Sequence, residues 1–345
     1  MREASAGRGR RSLIWIPLAL VLLLAGAWTG LWFYAAHRAE ATVATWIERE
    51  AQAGRIYTCA SRSVRGYPFR IEMRCSEPRA EVRLRSEPAV FQAREMLAVA
   101  QIYQPDRVIA EISGPMTIRA ATTGDYVADW KLLQASVRGL PRAAERISLV
   151  FDEPVLRAAD MPADRSIASA KRAELHVRQA PGPDGAAPVF ELSARLATAV
   201  LGGIPALAQR PFEAEADAIL RGITDLSSKP LPERLREWQA AGGRIELTRA
   251  RVQQADALAV ARGELGLTPQ GRLDGTIALT MAGLDQVMAA LFGGQGRTQA
   301  GLLAGLSLLS RAELEGKRAL AVPLRFRDGT ALLGPVPLGQ IGPLF

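Results

Sequence analysis

The sequence predicts a mainly β (α+β) protein: an N-terminal transmembrane helix, then extended, curved antiparallel sheets with a few packing helices. Three observations carry that expectation. Apolar and charged residues alternate with a two-residue period in segment after segment. Gly, Pro and Asp residues punctuate those segments as turns. One uncharged stretch near the start is long enough to cross a membrane.

That stretch, residues 13–36 (LIWIPLALVLLLAGAWTGLWFYAA), has no charged side chain in 24 positions. At about 1.5 Å per residue it exceeds the ~30 Å hydrocarbon core of a bilayer. Trp28, Trp32, Phe33 and Tyr34 gather toward its far end, where amphipathic rings favour the headgroup zone. Arg2, Arg8, Arg10 and Arg11 precede it against Glu3, a net of +3, which favours a cytoplasmic amino terminus. Everything after Ala36 is then expected on the periplasmic side of an inner membrane. The rival reading is a cleavable signal, with residues 13–24 as its apolar core and Ala25-Gly26-Ala27 as its cleavage site. The apolar run continues nine residues past that site, which speaks for an uncleaved single-pass anchor. The expected organisation is a basic tail (1–12), the anchor (13–36), a juxtamembrane helix (37–54) and two β-rich halves (55–228 and 229–345). Whether the halves make one continuous domain stays open.

Residues 39–53 place Val43, Trp46, Ile47 and Glu50 at helical spacing before Gly54. Beyond them the period changes to two. In residues 70–75 (RIEMRC) the apolar Ile71, Met73 and Cys75 share one face of a strand and the charges take the other. The same signature returns at 81–85, 172–178, 190–196, 244–248, 273–281 and 321–327, with weaker forms at 107–113, 116–120, 147–151 and 258–267. One-sided alternation means antiparallel sheet with a wet face, and it excludes a buried parallel α/β architecture. Helical patterns are confined to 231–241, 284–292 and 299–310.

A chain that is 48% hydrophobic and 23% charged can offset its ordering entropy, so it folds. The net charge of +8 loses its tail contribution of +3, and the remaining +5 is interleaved with acids rather than gathered in a basic stripe. No nucleic-acid partner is expected. Two histidines and two cysteines leave little material for a metal centre, and no G-x-S-x-G elbow, H-E-x-x-H pair or Walker loop is present. His176 falls on the polar face of its strand and His37 at the membrane exit. The Phe292-Gly293-Gly294-Gln295-Gly296-Arg297 cluster reads as a loop. No catalytic, cofactor or metal residue is therefore nominated, and the chain is read as no enzyme.

Cys59 and Cys75, with fifteen residues between them, are expected to pair as a disulfide in an oxidising compartment, contributing ~3 kcal/mol. Two buried thiols are the alternative. Gly66-Tyr67-Pro68-Phe69-Arg70 is the most distinctive segment. Gly permits a turn, Pro68 fixes φ and denies a ladder donor, and two aromatic rings stand at a strand entry. It reads as a structural corner, with contact to a partner or ligand as the second role.

The order of anchor, Trp46 helix, Cys59, Gly66-Tyr67-Pro68-Phe69-Arg70 and Cys75 resembles an uncharacterised alphaproteobacterial envelope family, domain of unknown function 2125. The closing Val322-Pro323-Leu324-Arg325-Phe326-Arg327-Asp328-Gly329 and Leu333-Gly334-Pro335-Val336-Pro337-Leu338-Gly339 are similar to that family's ending. The resemblance carries no catalytic residues. More loosely, residues 263–279 with 329–338 are similar to AsmA-type envelope proteins, whose extended sheets carry lipid. The resulting expectation is an envelope protein binding or shuttling phospholipid or another acyl-chain lipid in an apolar groove of its sheet. The alternative is a scaffold contacting other envelope proteins around a closed core.

Overall fold

The apolar stretch lies within one long helix, α1 (Gly9–Gln52), in a computed structural model that describes residues 9–84, 87–120, 124–140, 144–182, 187–203, 205–208, 210–223, 229–283 and 312–345. Gly54 adopts a positive φ of 77° just past the helix, a conformation free of penalty for a residue without Cβ, and turns the chain into the sheet.

Twenty-three strands follow among the described residues. The first are β1 (Ile56–Thr58), β2 (Ser61–Arg65), β3 (Arg70–Ser76), β4 (Arg79–Leu84), β5 (Glu87–Gln92) and β6 (Glu95–Gln101). Next come β7 (Gln104–Ser113), β8 (Met116–Ala120), β9 (Gly124–Asp129), β10 (Leu132–Arg138), β11 (Arg146–Asp152) and β12 (Val155–Ala158). β13 (Ala168–Ser169), β14 (Arg172–Ala180) and β15 (Val189–Leu201) lead to the short helix α2 (Pro205–Ala208) and β16 (Phe212–Arg221). Helix α3 (Leu231–Ala240) precedes β17 (Arg244–Gln254), β18 (Ala257–Leu267) and β19 (Leu273–Ala282). The chain closes with β20 (Ala312–Leu314), β21 (Lys317–Arg327), β22 (Thr330–Leu333) and β23 (Val336–Gln340). Every pairing is antiparallel, in a large open sheet.

The main branch runs β2-β3-β6-β7-β10-β11-β14-β15-β16-β17-β18-β19-β21-β22-β23. A second branch, β1-β4-β5-β8-β9-β12-β13, joins it at β15. Seven connections between the branches each take two residues: Cys59-Ala60, Glu77-Pro78, Ala93-Arg94, Gly114-Pro115, Trp130-Lys131, Glu153-Pro154 and Ala170-Lys171. They fall in register, since Ser76 faces Glu95 on one side and Arg79 faces Gln92 on the other. The breaks therefore form one fold line crossing successive hairpins. Backbone bonds carry the ladder over it: the Glu77 N–H donates to Arg94 O, and the Ala93 N–H to Pro78 O. Proline suits such a line because it cannot serve inside a ladder. Cys75, Ala89, Ala93, Leu133 and Ala199 are buried along it. So is Trp130, whose indole N–H donates to Ile112 O at 2.7 Å and whose ring meets Phe151 edge-on.

All the alternating segments expected from the sequence are strands over their described residues. Several of those it did not announce are short or lack clean alternation: β12 has four residues, β13 two, and β6 (EMLAVAQ) is apolar at consecutive positions. β16 (FEAEADAILR) was missed although Phe212, Ala214, Ala216 and Ala218 alternate there with Glu213, Glu215 and Asp217. The expected helix over 231–241 is α3, with Trp238 buried and its N–H on Arg221 O at 2.7 Å. The expected helices over 284–292 and 299–310, and the glycine cluster between them, lie outside the described residues. β16 and β17 pair from Glu213↔Gln253 to Arg221↔Arg244, so the sheet continues across the 228/229 boundary.

Register turns the alternation into continuous rows. One row runs Met73, Ala98, Ala110, Ala135, Leu149 and Leu175, then Ala194, Ala216, Ala250, Ala261, Leu279 and Val322. The row on either side of it, from Ile71 to Leu324 and from Cys75 to Leu320, contains no polar residue either. At its far end this face closes into a core of Met281, Leu320, Val322, Leu333 and Val336. Truncating Leu333 to Ala there is expected to destabilise the chain by about 2–5 kcal/mol, read by denaturant unfolding, because neighbours bounded by the ladder cannot collapse into the gap.

Candidate functional site

The Gly66–Arg70 corner is the turn of the β2–β3 hairpin, and it docks on α1. Gly66 takes φ +104°, and a Cβ there would stand 2.6 Å from Arg70 O. The Trp28 indole N–H donates to Pro68 O at 2.9 Å, and the Trp32 indole N–H donates to Arg70 O at 3.0 Å. The Thr29 and Tyr67 hydroxyls share a bond of 2.8 Å. Trp32 meets Tyr67 edge-on at 5.6 Å, and Trp28 lies 6.3 Å from Phe69. The partner of the corner is the apolar helix. Sequence reasoning missed Trp28, Thr29 and Trp32 as that partner. Their signal was the i, i+4 tryptophan spacing, which places both rings on one helix face.

The docking face continues up α1. Trp32, Ala36 and Glu50 are buried, with Ala39, Val43 and Ile47 half-buried between them, a stripe at helical spacing. Its upper end is pinned by Glu50, which accepts from Arg55 at 2.6 Å, and by Trp46 stacking 4.9 Å from Tyr57. Glu50 raises the Arg55 pKa through that bond. Burial, then the Glu50 charge, pushes the Tyr57 phenol above its ordinary value. Cys59 and Cys75 are joined, Cα atoms 5.5 Å apart, tying the start of the sheet to β3.

The two faces of the sheet differ in chemistry. On the apolar face Leu175, Leu196 and Val252 remain 38%, 36% and 39% exposed. The opposite face carries a groove of about 540 Å³ lined by Arg146, Ser148, His176, Arg178, Ser193 and Asp217, among others. His176 is half-buried there, 3.6 Å from Glu174, whose pKa is lowered first by its bond to Arg172. Glu191 closes the groove against Arg178. His37 is exposed on α1. No cluster of three or more His, Cys, Asp or Glu suited to a metal occurs among the described residues. Register also aligns Arg107, Arg138, Arg146 and Arg178 across β7, β10, β11 and β14, a row that no local spacing could reveal.

The family model described as "Uncharacterized protein conserved in bacteria (DUF2125)" matches residues 32–342. The chain belongs to that family. No curated protein matches the sequence. The looser likeness to AsmA-type proteins finds no counterpart in these comparisons. α1 is long and apolar enough to cross a membrane.

Two outcomes follow from the docking stripe. Trp32→Ala should destabilise the detergent-solubilised chain by about 3–5 kcal/mol in unfolding experiments, as for other buried tryptophans. Tyr57 should ionise late. Its folded pKa lies above the unfolded value of ~10, so its contribution is complete below ~10 and vanishes as pH rises through the folded value. Tyrosinate absorbance measured on the folded chain before and after Tyr57→Phe should lose a step above the ordinary tyrosine range.

Proposed function

Taking family membership and the spanning helix as premises, we propose that the chain is an inner-membrane-anchored periplasmic protein of the cell envelope that holds or moves lipid acyl chains on the apolar face of its sheet. It acts without catalysing a reaction. The supporting observation is the triple apolar row across twelve strands. At ~4.8 Å between strands it extends about 53 Å, longer than the ~30 Å hydrocarbon core. Seven of its twelve central positions, all but Met73, Leu149, Leu175, Leu279 and Val322, are alanine, so much of the middle row is shallow, in two stretches separated by Leu149 and Leu175. Exposure of Leu175, Leu196 and Val252 leaves its middle open among the described residues. Each methylene removed from water contributes ~0.8 kcal/mol, which holds a chain without charged recognition.

The alternative, a scaffold or protein-interaction module with a closed core, is supported by the Met281–Leu333 cluster at the far end. The open middle weighs against it.

Full-length protein purified in detergent should retain phospholipid measurable by mass spectrometry. Leu175→Glu with Leu196→Glu should lower that load several-fold, as should Ala194→Trp, which fills the channel floor. Lipid bound around α1 forms a background common to all three proteins. An equal load in all of them would sink the acyl-chain reading and favour the scaffold.

A further inference from the structure

We infer that the hairpin-tip edge of the sheet next to α1 lies on the outer surface of the anchoring membrane and binds the phosphate groups of anionic phospholipids. This rests on the membrane-anchor part of the proposed function and not on the acyl-chain channel.

Depth along α1 supplies the first argument. Counted from Leu13, Trp28 lies about 22 Å and Trp32 about 28 Å along the helix, so both fall near the outer boundary of a ~30 Å core. The corner docked there is fixed at the same depth. Its Tyr67 and Phe69 are 54% and 61% exposed, as apolar surface meeting lipid would be. The next tip repeats the pattern. Ile102 N–H donates to Phe69 O at 3.1 Å, and the adjacent Tyr103 is 69% exposed. Rings with a polar tip are the residues that settle at the headgroup boundary.

Charge supplies the second. Trp32 bonds to the carbonyl of Arg70, and Arg70 pairs with Gln101, the last residue before the Tyr103 turn. Near that level begins the row Arg107–Arg138–Arg146–Arg178, four exposed arginines on four neighbouring strands. Like charges set directly opposite destabilise a sheet. Asp106 answers Arg138 at 3.4 Å and Glu191 answers Arg178. Arg107 and Arg146 have no carboxylate within 4.0 Å among the described residues. Guanidinium groups pair with phosphate in bidentate fashion, and a surface of anionic lipid offers phosphates in the plane that the row follows. Aromatic tips below and arginines above match the order of boundary and headgroups.

The experiment uses the full chain in nanodiscs of phosphatidylcholine, alone or mixed with phosphatidylglycerol. An environment-sensitive fluorophore is placed at Tyr103→Cys, and in a separate protein at Leu20→Cys inside the helix. Lipids brominated on their chains should quench both. Phosphatidylglycerol should be enriched at least twofold over its bulk ratio among the lipids retained by the protein. Changing Arg107, Arg138, Arg146 and Arg178 together to Gln should abolish that enrichment and leave the acyl-chain load of the sheet unchanged. Quenching at Leu20 without quenching at Tyr103, or no enrichment, overturns this inference alone. Loss of quenching at both positions removes the anchor reading with it.

Discussion

Register is the constraint on which the rest of this molecule depends. A strand shifted by one residue sends its apolar set to the opposite face, so a single slip anywhere in the main branch would interrupt the apolar rows. Hairpin connections fix most registers locally. Where the two-residue rhythm of the sequence slips, a bulge restores it. In β17 the apolar positions change from Ile245 and Leu247 to Ala250 and Val252, and the ladder absorbs the shift at Thr248. The Thr248 hydroxyl, donating to Asp217 O at 2.8 Å, holds the extra residue in place. In β15 the shift lies between Leu196 and Ala199, where Thr198 has φ +51° and bonds to Glu213 through both its N–H and its hydroxyl. Each of these two bulges is pinned by a side chain from its own ladder.

The second constraint is the stripe on α1. A helix that only tethered the sheet would need no buried face beyond the bilayer. Here the side from Trp32 to Glu50 packs along the first edge of the sheet, from the β2–β3 corner to β1. That contact covers an edge otherwise open to strand addition. It also fixes the orientation of the sheet relative to the helix, because hydrogen bonds at one end and the Glu50–Arg55 pair at the other leave little freedom to pivot.

The sequence makes the two-sided character of the sheet legible, because alternation is a local property visible within five or six residues. It also makes the long apolar helix and the cysteine pair legible. Four features are not local and could not be read. The partner of the corner lies 38 to 40 residues away on α1. The fold line is seven separate two-residue breaks that become a line only when strands are registered. The arginine row takes one residue from each of four strands, and each arginine by itself is an ordinary exposed member of an alternating segment. The alanine floor is hidden likewise, since alanine in any one strand carries little hydrophobic signal and its meaning lies in repetition across neighbours.

The arginine row and the lowest apolar row are the same level of the sheet seen from its two faces. Arg107 precedes Val108, Val137 precedes Arg138, Arg146 precedes Ile147 and Val177 precedes Arg178. The proposed channel therefore starts where the proposed headgroup contacts stand, one residue away through the sheet. Under the two proposals together, an acyl chain leaving the bilayer at this edge would meet Val108, Val137, Ile147 and Val177 before it met water. Its phosphate would stay within reach of guanidinium groups on the other side of the same strands. Charged recognition at the rim and uncharged holding on the apolar face would then divide the work between the faces. The apolar face would need no selectivity of its own, and alanine, the least specific of apolar residues, would suit its middle row.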